Sequence, residues 1–449
     1  MSIIKEENSY FLFVLNRIIW ISGIFIFAGI PLIINPTAYD YWYRPKIDSL
    51  YSLIIIILFT VLLKNIIFKK SFKFRKTCLL IPLFFYSFSV IVSTFLSICP
   101  EMSIKGTLFR YETIFTLLSY VVVVIIFSNI VRREVEFHFM FKLLLLSTSL
   151  ISLYAIIQYA GFNPTEHFIL SFRQTEHRVG STIGNPNFLG KFLVLVLPLY
   201  IAYFVYSDSN IKRFYFATGF ILSFLALIFT FTRGSWIGFG ASMALLFFII
   251  PGGKLVSNKA KKIFVVIVIV FSTVFCAGLY FAEENAKNNS SFFPMLKYKI
   301  RSSFDFEEGM GVATRLFVWK KVVGLIKTKP VFGYGPDTNA KVMRKFNLEY
   351  SKKFNNYVII DRAHNNYLDI AIGRGLFGLG TYLSVIAVFM VWLWKTMKRE
   401  MERSRKIIYC CIFSAFFGYL INDLFIFSVV SVSPTFWSLM GLTFVLNRD

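Results

Sequence analysis

Charge is scarce in this 449-residue chain: Asp, Glu, Lys and Arg together make up 16%, against about 25% in an ordinary soluble domain. That shortage excludes water as the main solvent. Acids are scarcer still, 24 against 48 Lys and Arg, which leaves a formal charge of +24. The five cysteines (Cys78, Cys99, Cys276, Cys410 and Cys411) form neither a CxxC nor a His/Cys cluster, so they read as small hydrophobes and not as a disulfide frame or a metal site. No small-residue cleavage site follows the first apolar run, and a retained first span is expected there instead of a signal peptide. Lipidation motifs and internal repeats at a fixed period are both missing.

What the chain has in abundance is apolar and aromatic residues, 56% and 19%, with a mean hydropathy of +0.65. Runs such as "LIIIILFTVLL" and "KIFVVIVIVFSTVFCAGLYF" approach the roughly 20 residues that cross a bilayer. The expectation is an all-α polytopic membrane protein with about twelve transmembrane helices. The expected spans are 10–34, 50–68, 78–98, 113–130, 137–160, 188–206, 214–231, 235–250, 263–281, 367–394, 407–427 and 432–446.

In a soluble protein such a positive charge points to nucleic acid; here it has a simpler source, because Lys and Arg mark cytoplasmic loops. One alternate set of loops holds Lys69, Lys70, Lys73, Arg75, Lys76, Arg132, Arg133, Lys212, Arg213, Lys254, Lys259, Lys261, Lys262, Lys395, Lys398, Arg399, Arg403, Arg405 and Lys406. The opposite set holds only scattered cations. Both termini are therefore expected in the cytoplasm, and no nucleic acid is expected as a partner.

Two outer stretches are more than turns. Residues 161–190 are dense in Gly, Asn and Pro and irregular in backbone; residues 282–364 are too polar to enter lipid and long enough for a small external domain. The expected organisation is thus helices over 1–281, a large extracytoplasmic loop over 282–364, and helices over 365–449. Within the loop, "TRLFVWKKVVGLIKT" places Leu316, Trp319, Val322, Val323 and Ile326 at the spacing of an amphipathic helix on a membrane surface. "KPVFGYGPDT" should end it in a turn.

Candidate chemistry gathers on the outer side. Arg233 lies in apolar sequence running over 214–250, which as one helix would reach roughly 55 Å against a hydrocarbon core of about 30 Å. The chain must fold back at 232–235, placing Arg233 at the outer end of two packed helices, paired, ligand-bound or snorkelling to headgroups. Arg315 opens the amphipathic helix and Arg178 precedes "GSTIGNPN". Each guanidinium is a flat fork that matches phosphate oxygens two at a time and stays charged at any relevant pH.

His364 stands in "DRAHNNYLDIAIGRG", where the chain re-enters the membrane, and its imidazole suits either proton abstraction or a helix cap; Asn365 and Asn366 are natural caps. His138 falls on the cytoplasmic side, and His167 and His177 lack a nearby ligand pattern, so no metal site is expected. Asp369, Arg374 and Asp423 are expected to pair with one another or to line a wet cavity, and a structural pair of Arg374 with Asp423 or Asp369 is expected over a catalytic role. Arg110 and Glu112, in "GTLFRYE", face either the same cavity or each other.

"HRVGSTIGNPNFLGKFLVLVLPL", "TRGSWIGF", "ATRLFVWKKVVGLIKTKPVFGYGPD" and "RAHNNYLDIAIGRGLFGLGTYL" resemble, in order and spacing, segments of the O-antigen ligase/polymerase family of membrane glycosyltransferases. The resemblance is clearest over 177–382. It implies a helical fold with a large external loop above a lipid-facing cavity. It also implies transfer of a glycan from an undecaprenyl pyrophosphate carrier to an acceptor hydroxyl, with inversion and without metal or other cofactor. His364 would then be the general base, Arg233 and Arg315 would hold the pyrophosphate, and Arg178 would be a third. Asn365, Asn187, Arg374 and Arg110 would stand behind them. The partners implied are the lipid-linked donor, a glycan, lipid or protein acceptor, and membrane lipids. A flippase and a noncatalytic scaffold are the readings from other classes.

Overall fold

The structure is a computed structural model that describes residues 2–68, 75–162, 178–250, 312–355 and 359–447. Every regular element among them is helical: α1 (Ser2–Ile24), α2 (Arg44–Phe68), α3 (Leu80–Phe95), α4 (Pro100–Lys105), α5 (Ile114–Ile130), α6 (Glu134–Tyr159), α7 (Pro186–Tyr206), α8 (Asn210–Phe229), α9 (Arg233–Ile249), α10 (Val312–Thr328), α11 (Asn339–Met343), α12 (Asn347–Phe354), α13 (Asn366–Arg399), α14 (Arg403–Asn422) and α15 (Ser433–Thr443), with short 3₁₀ and π turns between some of them. Seven of these stretches are long and apolar enough to cross a membrane, and four shorter apolar helices accompany them. These eleven fall where spans were expected. The expected span over 263–281 lies outside the described residues, as do Cys276, His167, His177 and, within the two irregular outer stretches, residues 163–177, 282–311 and 356–358.

α7 is the axis of the bundle. Its residues from Phe188 to Tyr200 are all buried, as befits a helix apolar on every side, and it packs against α8, α9 and α14. α9 and α14 approach almost to backbone contact. A Cβ added at Gly238 would lie 2.8 Å from the Gly418 carbonyl oxygen, and one at Gly418 would lie 2.7 Å from that of Gly238. One turn away Ser242 donates to the Ser414 carbonyl at 2.9 Å and Ser414 returns the bond at 2.6 Å. Lipid gives no hydrophobic drive for helices to associate, so small residues and interhelical hydrogen bonds make such seams. This one fixes the start of α9, and with it Arg233, against the end of α14.

The connections gather alternately at two ends. At one end the Lys46 ammonium bonds the carbonyls of Ile33 and Thr182, Arg178 bonds that of Thr230, and the Asn366 amide bonds that of Asp423. At the other, Arg75 bonds the carbonyls of Phe444 and Asn447 and Arg405 pairs with Glu134 at 3.1 Å. With Arg75 and Arg405, the second end carries Lys76, Arg132, Arg133, Lys212, Arg213, Lys395, Lys398, Arg399, Arg403 and Lys406, the described part of the cation-rich loop set. His138 is there too, buried, with Nδ1 2.9 Å from the Tyr203 hydroxyl.

Two features differ from the sequence reading. α10 turns Phe317, Val318, Val322 and Leu325 inward, onto Val342, Met343, Tyr350 and Ile360, while Leu316 and Val323 are exposed; the apolar face is rotated because the segment after α10 folds back beneath it. α13 is also not one continuous helix. It breaks at Gly375 (φ 70°, ψ −176°), a conformation open essentially to glycine alone. The strap after α10 fills the gap: the amides of Tyr334 and Gly335 bond the carbonyls of Ile372 and Gly373, both at 2.8 Å, and the Leu376 amide bonds that of Pro330 at 2.7 Å. Buried backbone groups freed by a helix break need such partners.

Candidate active site

The site lies at the end opposite the basic loops, and its floor is the turn after α14. Phe425 packs against Gly234 and beneath Arg315, whose guanidinium carbon is 5.9 Å from the ring centre. Two residues on, Phe427 has Arg110 at 5.1 Å, Arg362 at 5.5 Å and the His364 ring at 5.8 Å. Cations over ring faces gain from the ring quadrupole, so the two phenylalanines gather three guanidinium groups and the imidazole.

His364 sits at φ 50°, a left-handed position uncommon for a residue with a side chain. The backbone around it is pinned. The Trp319 indole on α10 donates to the Ala363 carbonyl at 2.9 Å, the Ala363 amide donates to Asp369 at 2.9 Å, and Asn365 caps α13 by accepting from the Leu368 amide at 3.1 Å. Such strain persists where surroundings over-determine it, commonly at functional sites. The residue is exposed, yet protein crowds its ring closely enough that desolvation pushes its pKa down to about 4; Asp361 opposes the shift, while Arg315, Arg110 and Arg362 add to it. At neutral pH the imidazole is therefore uncharged and able to accept a proton.

Arg362 is the anchor of this segment. It is 3% exposed and bridges Glu112 at 3.2 Å and Asp337 in the strap; burial disfavours its charge, but Asp337 and Glu112 outweigh that and raise its pKa. Arg110 pairs with Asp361 through Nε at 2.9 Å and through Nη2. Burial works against the Asp361 charge, yet Arg110, helped by Arg362 and His364, holds the carboxyl below its ordinary value. Arg110 and Glu112 thus face the segment before His364 and not each other. Arg315 differs: burial, then the charge of Arg233, pulls its guanidinium below the ordinary value, and among the described residues it has no carboxylate partner. Two like charges side by side favour an anion between them.

The other expected residues occupy different positions. Arg178 bonds the Thr230 carbonyl at 2.9 Å, Asn187 at 2.9 Å and Thr232 Oγ1 at 3.1 Å; it and Asn187 brace the turn that presents Arg233. The expected pairing of Arg374 with Asp423 or Asp369 does not form. Arg374 lies 4.9 Å over the Tyr86 ring, Asp369 is taken by Ala363 and Asn339, and Asp423 pairs with Lys191 inside the bundle, both fully buried. Lys191 also bonds the Phe427 carbonyl at 3.1 Å. The sequence reading missed it, although a lysine inside "NFLGKFLVLVLPL" is an intramembrane charge and by itself a signal. Asp361 and Arg362, directly upstream of the histidine, were missed as well.

Arg233, Arg315 and His364 all lie within residues 218–383, which match the family model described as O-antigen ligase. That stretch is similar to the O-antigen ligase family. No curated protein matches the chain. Together with the seven helices long and apolar enough to cross a bilayer, the match indicates a membrane protein. The match to the O-antigen ligase domain covers α8 to the first half of α13; Arg110, Glu112, Arg178 and Asn187 lie before it and the Phe425–Phe427 turn after it.

Proposed function

We propose that the protein transfers a glycan from an undecaprenyl pyrophosphate carrier to an acceptor hydroxyl, at the outer face of the bacterial cytoplasmic membrane. The observation that carries this reading is a neutral, accessible imidazole beside a like-charged arginine pair, Arg315 with Arg233. His364 takes the proton from the acceptor hydroxyl as its oxygen attacks the anomeric carbon. The bond from that carbon to the phosphate oxygen breaks, and its electron pair leaves with the pyrophosphate, whose charge Arg233 and Arg315 hold. A single displacement inverts the anomeric centre and needs no carboxylate nucleophile. No metal is assigned a role.

The orientation follows from the basic end of the bundle, which belongs in the cytoplasm by the distribution of Lys and Arg. Both termini then lie inside and the site faces outward. Residues 282–364 are the external portion between the helices of 1–281 and 365–449. The acceptor, whether lipid A-core, another carrier-linked repeat or a protein side chain, defines ligase, polymerase or protein glycosyltransferase, and loop shape selects among them. The break at Gly375 and the buried Lys191–Asp423 pair favour a second reading, transport of a lipid-linked glycan.

One assay separates the two. Purified protein in lipid is given a synthetic undecaprenyl pyrophosphate glycan and candidate acceptors, with EDTA present. Covalent transfer is expected from wild type and not from His364→Ala. Arg233→Lys keeps the charge but loses the fork and should slow turnover. Equal transfer by wild type and His364→Ala would remove the assigned base; movement of intact donor across the bilayer without transfer would favour the transporter.

A further inference from the structure

A histidine that acts as a base needs its second nitrogen held, so that the correct tautomer faces the substrate and the charge that forms has a counterion. The charged groups felt most by His364 are Asp361, Arg315, Arg110 and Arg362, one acid among three cations. The nearby acids Glu112 and Asp337 are both committed to Arg362. Asp361 is differently placed. Both bonds from Arg110, from Nε and Nη2, end on its Oδ2, and among the described residues nothing bonds its Oδ1 or either ring nitrogen of His364.

The backbone between the two side chains is also fixed. The Ile360 amide donates to Asn347 at 3.0 Å, Arg362 is locked by two carboxylates, and Ala363 is bonded through both its carbonyl and its amide. Arg110 and His364 share the Phe427 ring, and Arg110 carries Asp361 to that same place. The carboxylate and the imidazole are therefore brought to the same place by independent restraints.

We propose that Asp361 is the positioning residue for His364, with Oδ1 accepting the N–H of one ring nitrogen so that the other nitrogen takes the acceptor proton. The inference rests on the transfer reaction proposed above. In the step, the acceptor O–H bond breaks and its proton goes to the free ring nitrogen. The acceptor oxygen bonds the anomeric carbon, and the carbon–oxygen bond to the pyrophosphate breaks with its electron pair on the leaving oxygen. The imidazolium that results would otherwise face three guanidinium groups; Asp361 supplies its counterion, and the proton afterwards passes to the departing pyrophosphate or to water.

The test uses full-length protein in lipid with the synthetic donor and a saturating acceptor. Asp361→Asn should lower kcat by up to about 10⁴-fold, the loss seen when the orienting carboxylate of a triad is replaced by its amide, with donor KM within about twofold. Asp361→Glu should recover at least a tenth of wild-type kcat. Because Asp361→Asn leaves Arg110 without its partner, Arg110→Gln and the double variant Arg110→Gln/Asp361→Asn are measured beside it. The double variant should fall well below Arg110→Gln alone, and Asp361→Asn should cost nothing further in a His364→Ala background. Retention of kcat by Asp361→Asn while His364→Ala is inactive would overturn the pairing and leave the base intact. Equal kcat in Arg110→Gln and the double variant would overturn it too. Full activity of His364→Ala would remove the transfer mechanism itself.

Discussion

Gly375→Ala tests whether the broken helix organises the site. A Cβ there would lie 2.0 Å from the Val331 carbonyl oxygen and 2.6 Å from the Phe332 amide nitrogen, and these are backbone atoms that cannot rotate away. The φ of 70° with ψ of −176° adds about 1–3 kcal/mol of strain for a residue with a side chain. If the strap withdraws, the bonds from Leu376 to Pro330 and from Phe377 to Val331 are lost, at about 1 kcal/mol each. The expected destabilisation is about 3–5 kcal/mol. Gly380, in the same helix with nothing within 4 Å of its added Cβ, is the control; alanine there should stabilise by about 0.5–1 kcal/mol. Equilibrium unfolding in mixed micelles, with glycan transfer on the same samples, measures both. Transfer should fall with Gly375→Ala because the strap carries Asp337, which holds Arg362. Indistinguishable behaviour of the two variants would refute the reasoning.

Other outcomes follow from single contacts. Lys191→Met should cost about 3–5 kcal/mol, because it strands a buried Asp423 charge, and Lys191→Met/Asp423→Leu should recover much of that; unfolding midpoints of both variants decide it. His364 must be neutral to act as a base, and its lowered pKa of about 4 means that kcat/KM in free enzyme should hold to about pH 5 and fall only as pH approaches 4. Arg110→Gln removes a cation that lowers it, so the acidic limb should move upward in pH; a downward move would contradict the electrostatic account. In a variant lacking its native cysteines, Thr37→Cys at the site end should react with an impermeant thiol reagent from outside intact cells, and Met401→Cys at the basic end only after permeabilisation. The reverse pattern would invert the proposed orientation.

The positions of the described apolar helices were legible because a bilayer demands long apolar runs, and the fold-back before Arg233 was legible because a run of that length cannot fit as one helix. The break in α13 was not. "GRGLFGLG" offers Gly373, Gly375, Gly378 and Gly380, and which of them leaves the helix depends on where a strap more than thirty residues upstream docks. The face of α10 was misjudged for a similar reason: its wheel was read against a flat membrane surface, whereas Val342, Met343 and Tyr350 cover it. His364, Arg233 and Arg315 were singled out as candidates from their chemistry. Asp361, Arg362 and Lys191 were passed over because their value lies in partners distant in sequence, Arg110, Glu112 and Asp423, which no local pattern announces.

In the proposed reaction, the turn after α14 sets a length scale. Phe425 sits under one cationic group and Phe427 under the imidazole, so the span from leaving group to base is measured out by two residues of irregular backbone. Lengthening or shortening that turn by one residue would leave every charged side chain in the sequence and still put the proton acceptor out of step with the bond to be broken.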